Sequence, residues 1–162
     1  MPRHAVDRPR LRRYRNQAIY RSISRLLRAY NRRLVEELHR RGFADFSPAF
    51  PPLLSNLDAE GSHIGTLARR AGVTRQAAGQ LLRQIEACGY VERLASPHDT
   101  RATMVMFTPR GRTMLANVLE IVGALDREYA AELGAGGFDE LRDRLFAMAE
   151  RADPGGALVG GE

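Results

Sequence analysis

Residues 72–111, GVTRQAAGQLLRQIEACGYVERLASPHDTRATMVMFTPRG, read as a helix, a hairpin with a charged tip, and the start of a second helix. From 74 to 88, the residues Ala78, Leu81, Leu82, Ile85 and Cys88 recur at helical spacing, so one side is apolar and can seat against a core. The other side carries Arg75, Gln76, Gly79, Gln80 and Arg83. Such side chains reach base edges and phosphates when a helix of this kind lies in a major groove. Upstream, 65–71 predicts a small helix with Leu67 and Ala68 inward. Gly72 ends it, Val73 is expected to plug the core at the turn, and Thr74 caps the next helix through its hydroxyl. Two helices joined by so short a turn make a helix-turn-helix. Downstream, 90–94 and 103–107 are rich in β-branched and aromatic residues, separated by ASPHDTRA with Pro97 and Asp99 as turn formers, which predicts a β-hairpin.

Working outward, 14–41 places Ile19, Ile23, Leu26, Leu27, Tyr30, Leu34 and Leu38 at intervals of three and four, predicting a long amphipathic helix stopped by Gly42. Pro51 and Pro52 set the start of a short helix at about 51–58, because proline is accepted in a first turn and clashes farther in. His63 and Ile64 are expected to form a short strand. Thr108 and Pro109 supply an N-cap and a first-position proline for a helix running to about 133. At roughly 35 Å it is too long to be buried by so small a domain alone. Its stripe of Met114, Leu115, Val118, Ile121, Val122, Leu125 and Tyr129 therefore needs a partner surface. Glycines at 134–137 break it, Phe138, Leu141, Leu145 and Met148 form a further helical stripe, and the Gly-rich 153–162 is expected to be a flexible tail.

The chain of 162 residues is expected to form one domain, with 44% hydrophobic and 27% charged residues, a globular profile. No apolar run is long enough to span a membrane, and the Arg-rich start lacks the apolar stretch of a secretory signal, so a cytoplasmic protein is expected. The net charge of +6 conceals an asymmetry: residues 1–41 hold 13 Arg and three acids, whereas 120–162 hold four Arg and ten acids. All 25 basic residues are arginine. A basic balance attracts polyanions and arginine binds phosphate in bidentate fashion, although residues 1–13 read equally as a solvated basic tail.

Catalysis needs a converging nucleophile, base and stabiliser, or metal ligands. His4, His39, His63 and His98 fall on unrelated elements without metal-site spacing, and Cys88, the only cysteine, sits at the apolar end of a helix as a structural thiol does. No enzyme activity, cofactor or metal is expected.

The matches LARRAGVT at 67–74, QIEACGYVER at 84–93, SPHDTRA at 96–102 and FTPRG at 107–111 resemble the MarR family of winged-helix transcription regulators. The D-x-R tip followed at the right distance by T-x-x-G carries the resemblance beyond a generic helix-turn-helix. It implies a mainly α fold with a small β-hairpin wing. A winged helix-turn-helix at about 51–108 would lie within a single domain of 14–152, between dimerisation helices at about 14–41 and 109–151. It implies a homodimer whose winged helices grip successive major grooves of a palindromic double-stranded DNA site, with half-sites about 10 base pairs apart or a multiple. A cytoplasmic repressor is the expected role.

Thr74, Arg75, Gln76, Gly79 and Gln80 would open the recognition helix, with Arg75, Gln76, Gln80 and Arg83 reaching bases or phosphates. Gly79 reads either as room for DNA or as tight helix packing. The resemblance places Arg101 in the minor groove, where narrow stretches concentrate negative potential, and has Asp99 hold the wing. Arg93 reads as a phosphate contact or as wing support. It further implies a small aromatic or phenolic effector held between the dimer helices and the winged helix. Tyr14, Tyr30, Phe46 and Phe50 would supply aromatic walls, with Arg28 or His63 as cation for an anionic ligand. The same six residues read also as core and solvated surface. Effector-independent regulation, and a dimeric protein-interaction module using the acidic C-terminal end, are the alternatives.

Overall fold

The computed structural model describes residues 18–95, 103–134 and 136–152. Along the chain run α1 (Ile19–Arg40), α2 (Pro51–Leu54), β1 (Ser62–His63), α3 (Ile64–Arg70), α4 (Arg75–Ala87), β2 (Val91–Ala95), β3 (Thr103–Phe107), α5 (Pro109–Leu133) and α6 (Gly137–Ala152). The fold is mainly helical with one small antiparallel sheet in the order β1-β3-β2. The expected hairpin is β2–β3, in register from Val91 opposite Phe107 to Ala95 opposite Thr103, and β1 adds a third strand on the outer side of β3.

Three helices end in the same way. Gly42, Gly72 and Gly89 have φ of 94°, 64° and 73°, a left-handed conformation that lets the following amide bond back into the last turn. The pairs are Phe43 N to Leu38 O, Val73 N to Ala68 O, and Tyr90 N to Ile85 O. Phe43 and Tyr90 bring their rings into the core at these turns, but Val73 is 44% exposed, contrary to the expected plug. Backbone hydrogen bonds alone close that turn, so its side chain is left to solvent.

Helix starts follow the sequence signals. Thr74 Oγ1 accepts from Ala77 N at 3.1 Å, Thr108 Oγ1 accepts from Gly111 N at 2.9 Å, and Pro109 is the first residue of α5. The helix at Pro51 is shorter than expected, because the chain after Leu54 passes into tighter turns in which Asn56 N bonds to Leu53 O and Leu57 N to Leu54 O. Ile64 starts α3 instead of sharing the strand with His63. One core joins the elements: Leu34 and Leu38 of α1, Phe46, Phe50 and Leu53, Leu67, Leu82 and Ile85 of the helix pair, Tyr90, Val105 and Phe107 of the sheet, and Met114, Ile121 and Leu125 of α5.

Burial is uneven along the flanking helices. Leu34, Val35 and Leu38 of α1 are buried, whereas Ile19, Tyr20, Ile23, Leu26 and Leu27 of its first half are exposed. No residue of α6 is buried, and Leu141, Leu145, Phe146 and Met148 stand in solvent. Among the described residues no helix is long and apolar enough to cross a membrane.

Candidate nucleic-acid interface

Helix α4 is held by Ala78, Leu82 and Ile85, buried against the core, and by the Thr74 cap. That seating turns Arg75, Gln76, Gln80 and Arg83 to solvent together. Gly79 lies on the edge of this face, and a Cβ built there meets nothing within 4 Å. Packing within the described chain therefore does not require a glycine at this position, which removes the tight-packing reading.

The sheet sets the wing beside α4. Arg93 of β2 points back to it, with Nε 3.2 Å from Glu86 Oε2 and the side chain 27% exposed. That is a bracing position. The alignment is poor for a hydrogen bond: Nε and Nη2 are buried without a hydrogen-bond partner among the described residues. Asp99 and Arg101 lie outside the described residues, as does Tyr14.

A second set of contacts, drawn from three distant segments, fixes the base of the wing. The Tyr90 hydroxyl donates to Asp45 Oδ1, Arg110 Nη2 donates to both Asp45 oxygens at 2.8 and 2.9 Å, and the Arg110 guanidinium lies 4.9 Å from the Tyr90 ring centroid. Burial, and then the bond to Asp45, push the Tyr90 phenol up to about 12. The Cys88 thiol is likewise pushed up, first by burial and then by Asp45. On the other side, Arg70 of α3 donates to both Asp58 oxygens, and the Ser62 hydroxyl donates to Asp58 Oδ2 at 2.7 Å. Burial alone would raise the Asp58 carboxyl; Ser62 and Arg70 outweigh it and hold the group below the usual carboxylate range. Asp45, Asp58, Arg70 and Arg110 carry no local sequence signal, because their partners come from elsewhere in the chain.

Two depressions lie near these elements. One, of about 390 Å³, opens between α1, α2 and α5, and its apolar wall includes Leu34, Phe46, Leu54, Phe107, Met114 and Val118. Tyr30 lines it, its hydroxyl donating to Asp126 Oδ1 at 2.9 Å and its ring 6.2 Å from that of Tyr129. Burial first, and Asp126 next, raise the Tyr30 phenol above the usual tyrosine range. Of the six ligand candidates, this cavity gathers Tyr30 and Phe46. Phe50 is 2% exposed and packs edge-on against Phe46 and Tyr90 inside the core. Arg28 stands two positions before Tyr30, about 200° round the helix, in a groove that Arg25 and Arg32 also line. His63 belongs to the second depression, a polar recess of about 490 Å³ with Thr66, Arg69, Arg75 and Thr103.

Comparison with known proteins places this arrangement. A family model described as MarR family matches residues 44–102. An HTH-type transcriptional repressor from Mycobacterium tuberculosis is 35% identical over 88 residues, 54% of this chain and 63% of the relative; a Mycobacterium bovis repressor matches to the same extent. The chain thus spans less than two thirds of the length of these relatives. Among solved structures, a MarR transcriptional regulator from Methanosarcina mazei shares the fold with a TM-score of 0.71 at 18% identity, over 83% of this chain and 95% of that one. A mutant MarR from E. coli complexed with operator DNA has a TM-score of 0.67 at 22% identity, over 84% and 96%. The repressor CouR, bound to a 23-mer DNA duplex, has a TM-score of 0.64 at 23% identity, over 86% and 94%. These structural likenesses establish the architecture, and the sequence matches fall on the segment that carries the helix-turn-helix and hairpin: over residues 44–102 the chain is similar to the MarR family.

Proposed function

We propose that the chain is a transcriptional regulator, a repressor, that binds double-stranded DNA sequence-specifically as a homodimer on a palindromic site. The observation that carries this reading is the solvent face of α4, where Arg75, Gln76, Gln80 and Arg83 stand together beside a glycine with open space around it. Arginine and glutamine are the side chains that pair bidentately with guanine and adenine edges. In this reading Arg101 enters the adjacent minor groove. The relatives named as repressors, and the two solved relatives bound to DNA, support it. So do the apolar faces of α1 and α6 that no described residue covers and that a second copy would cover. A regulator of this kind has no catalytic step and acts in the cytoplasm.

The test is binding to duplex DNA from the gene's own upstream region as salt is varied. Log affinity is expected to fall by about 0.9 per phosphate contact for each log unit of salt. Absent or salt-insensitive binding would count decisively against the reading. Gly79→Ala separates interface from stability: it is expected to raise stability by about 1 kcal/mol, since alanine is the better helix former. It is also expected to weaken DNA binding about tenfold, a loss of about 1.4 kcal/mol. A stabilised variant with full affinity would take Gly79 out of the interface.

The cavity at Tyr30 supports effector control by a small aromatic or phenolic ligand, since its wall combines α1 and α5 with α2 and β3 of the winged helix. Among the described residues its lining holds no cation, so an uncharged aromatic molecule fits better than the anionic one the sequence suggested. Release of DNA by uncharged phenols, but not by aromatic carboxylates, is the expected pattern.

A further inference from the structure

His63 occupies a place that neither the recognition helix nor the effector cavity explains. Neighbouring strand residues face opposite ways: Ser62 is buried and bonded to Asp58, and His63 is exposed. Its Nδ1 lies 3.4 Å from Thr103 O of the adjacent strand. A carbonyl oxygen only accepts, so Nδ1 carries the proton at this contact, and Nε2 of the neutral ring is then an acceptor. Protonation converts Nε2 into a donor and the ring into a cation. Imidazole is the side chain whose charge ordinarily changes between about pH 5 and 8.

The surroundings suit an oxyanion. Thr66 and Arg69 of α3, Arg75 of α4 and Thr103 of β3 share the recess with His63. Arg69 and Arg75 are the charged groups that line the recess with His63, and no carboxylate lines it among the described residues. The nearby Asp58 is engaged by Ser62 and Arg70. Gly65, also in the recess, has nothing within 4 Å of a Cβ built on it, so its lack of a side chain serves no internal packing. Arg75 is the first residue of the helix assigned to the major groove, which places the recess at the edge of that groove, where a sugar-phosphate strand runs.

We propose that this recess seats one backbone phosphate of duplex DNA and that His63 is a proton-dependent contact to it. The imidazolium donates Nε2–H to a phosphate oxygen while Nδ1–H stays on Thr103 O, and Arg75 and Thr66 donate to the remaining oxygens. The phosphate in turn favours the charged ring, so DNA binding takes up a proton. Affinity is greatest where the ring is protonated and declines as pH rises. The proposal rests on the DNA-binding reading and gives that interface a pH response.

The experiment measures DNA affinity by fluorescence anisotropy at constant ionic strength from about pH 5.5 to 8, the imidazole range. The proteins are the wild-type chain, His63→Gln and His63→Arg, and the probe is the upstream duplex. His63 is exposed, so these variants keep the core. Wild-type affinity is expected to fall several-fold across the range beyond any change in His63→Gln, because the other histidines are common to both proteins. His63→Arg should bind tightly throughout. At the low end, the salt slope of His63→Gln should be shallower by about 0.9, one phosphate contact. Coincident pH profiles and salt slopes for wild type and His63→Gln would overturn the phosphate role while leaving DNA binding intact. Failure of the wild-type chain to bind at any pH would instead overturn the DNA reading, and this proposal with it.

Discussion

Gly111→Ala is expected to destabilise the chain by about 3 kcal/mol or more, at the upper end of overpacking effects. An alanine Cβ at this position would stand 1.9 Å from Tyr90 O, 2.9 Å from the carbonyl carbon of Tyr90 and 3.1 Å from Phe107 Cδ1. Two of those atoms are backbone, so no rotamer change relieves the clash. Nor can the carbonyl withdraw freely: Tyr90 O accepts from Thr108 N at 3.1 Å, and the Tyr90 ring is buried among Phe43, Phe46 and Phe50. Alanine would otherwise favour the helix by about 1 kcal/mol, and that gain is far too small to decide the sign. Urea denaturation checks the point, with the midpoint shifted strongly down. A variant of near wild-type stability would mean that α5 does not approach the Tyr90 carbonyl this closely. The contrast with Gly79→Ala is instructive, since the same chemical change has opposite expected effects on stability at a crowded and at an open helical glycine.

Much of this geometry was legible because it is local. Thr108, Pro109 and Gly134 bracket α5 within the sequence, and Thr74 with Gly72 fixes the turn between α3 and α4. The hairpin, too, follows from two β-rich runs and a turn. What escaped is long-range or depends on helix phase. Two residues are too few to display a strand period, so the sequence points to His63 and Ile64 and shows neither the inward Ser62 nor the partner strand β3. The Asp45–Tyr90–Arg110 contacts join positions 45 and 65 residues apart, beyond any local pattern. Residue type puts Arg28 and Tyr30 in one expected pocket, whereas a separation of two residues sets them on nearly opposite sides of a helix. Residue type groups His63 with them, and the sheet carries it to the recess shared with Arg75 of α4 instead. Phe50 and Val73 show the remaining gap: periodicity says which residues are apolar, not which of them the core has room to bury.

The double substitution Leu141→Asp, Leu145→Asp is expected to convert the proposed homodimer to a monomer and to reduce DNA affinity about a hundredfold or more. Linking two half-site contacts raises avidity by about 10² to 10⁴ over either alone. The case rests on where the apolar stripes run off the protomer. In α1 the stripe is buried at Leu34 and Leu38 and then continues into exposed Leu27, Leu26, Ile23 and Ile19, so among the described residues of one copy its first half has no cover. In α6 the spacing of Leu141, Leu145 and Met148 sets three apolar residues on one exposed face, and nothing in that helix is buried. Each such side chain is worth about 1.5–3 kcal/mol when taken out of water. A carboxylate placed there instead is costly to bury without a partner. Because neither leucine belongs to the core of the single chain, the protomer should keep its helix content and unfold at a similar urea concentration, which circular dichroism checks. Light scattering after size exclusion then reads the assembly, and anisotropy on the upstream duplex reads the binding. A double variant that stays dimeric would place the dimer surface elsewhere. One that becomes monomeric yet binds DNA at wild-type strength would show that a single winged helix suffices, and the two-groove grip would have to be abandoned.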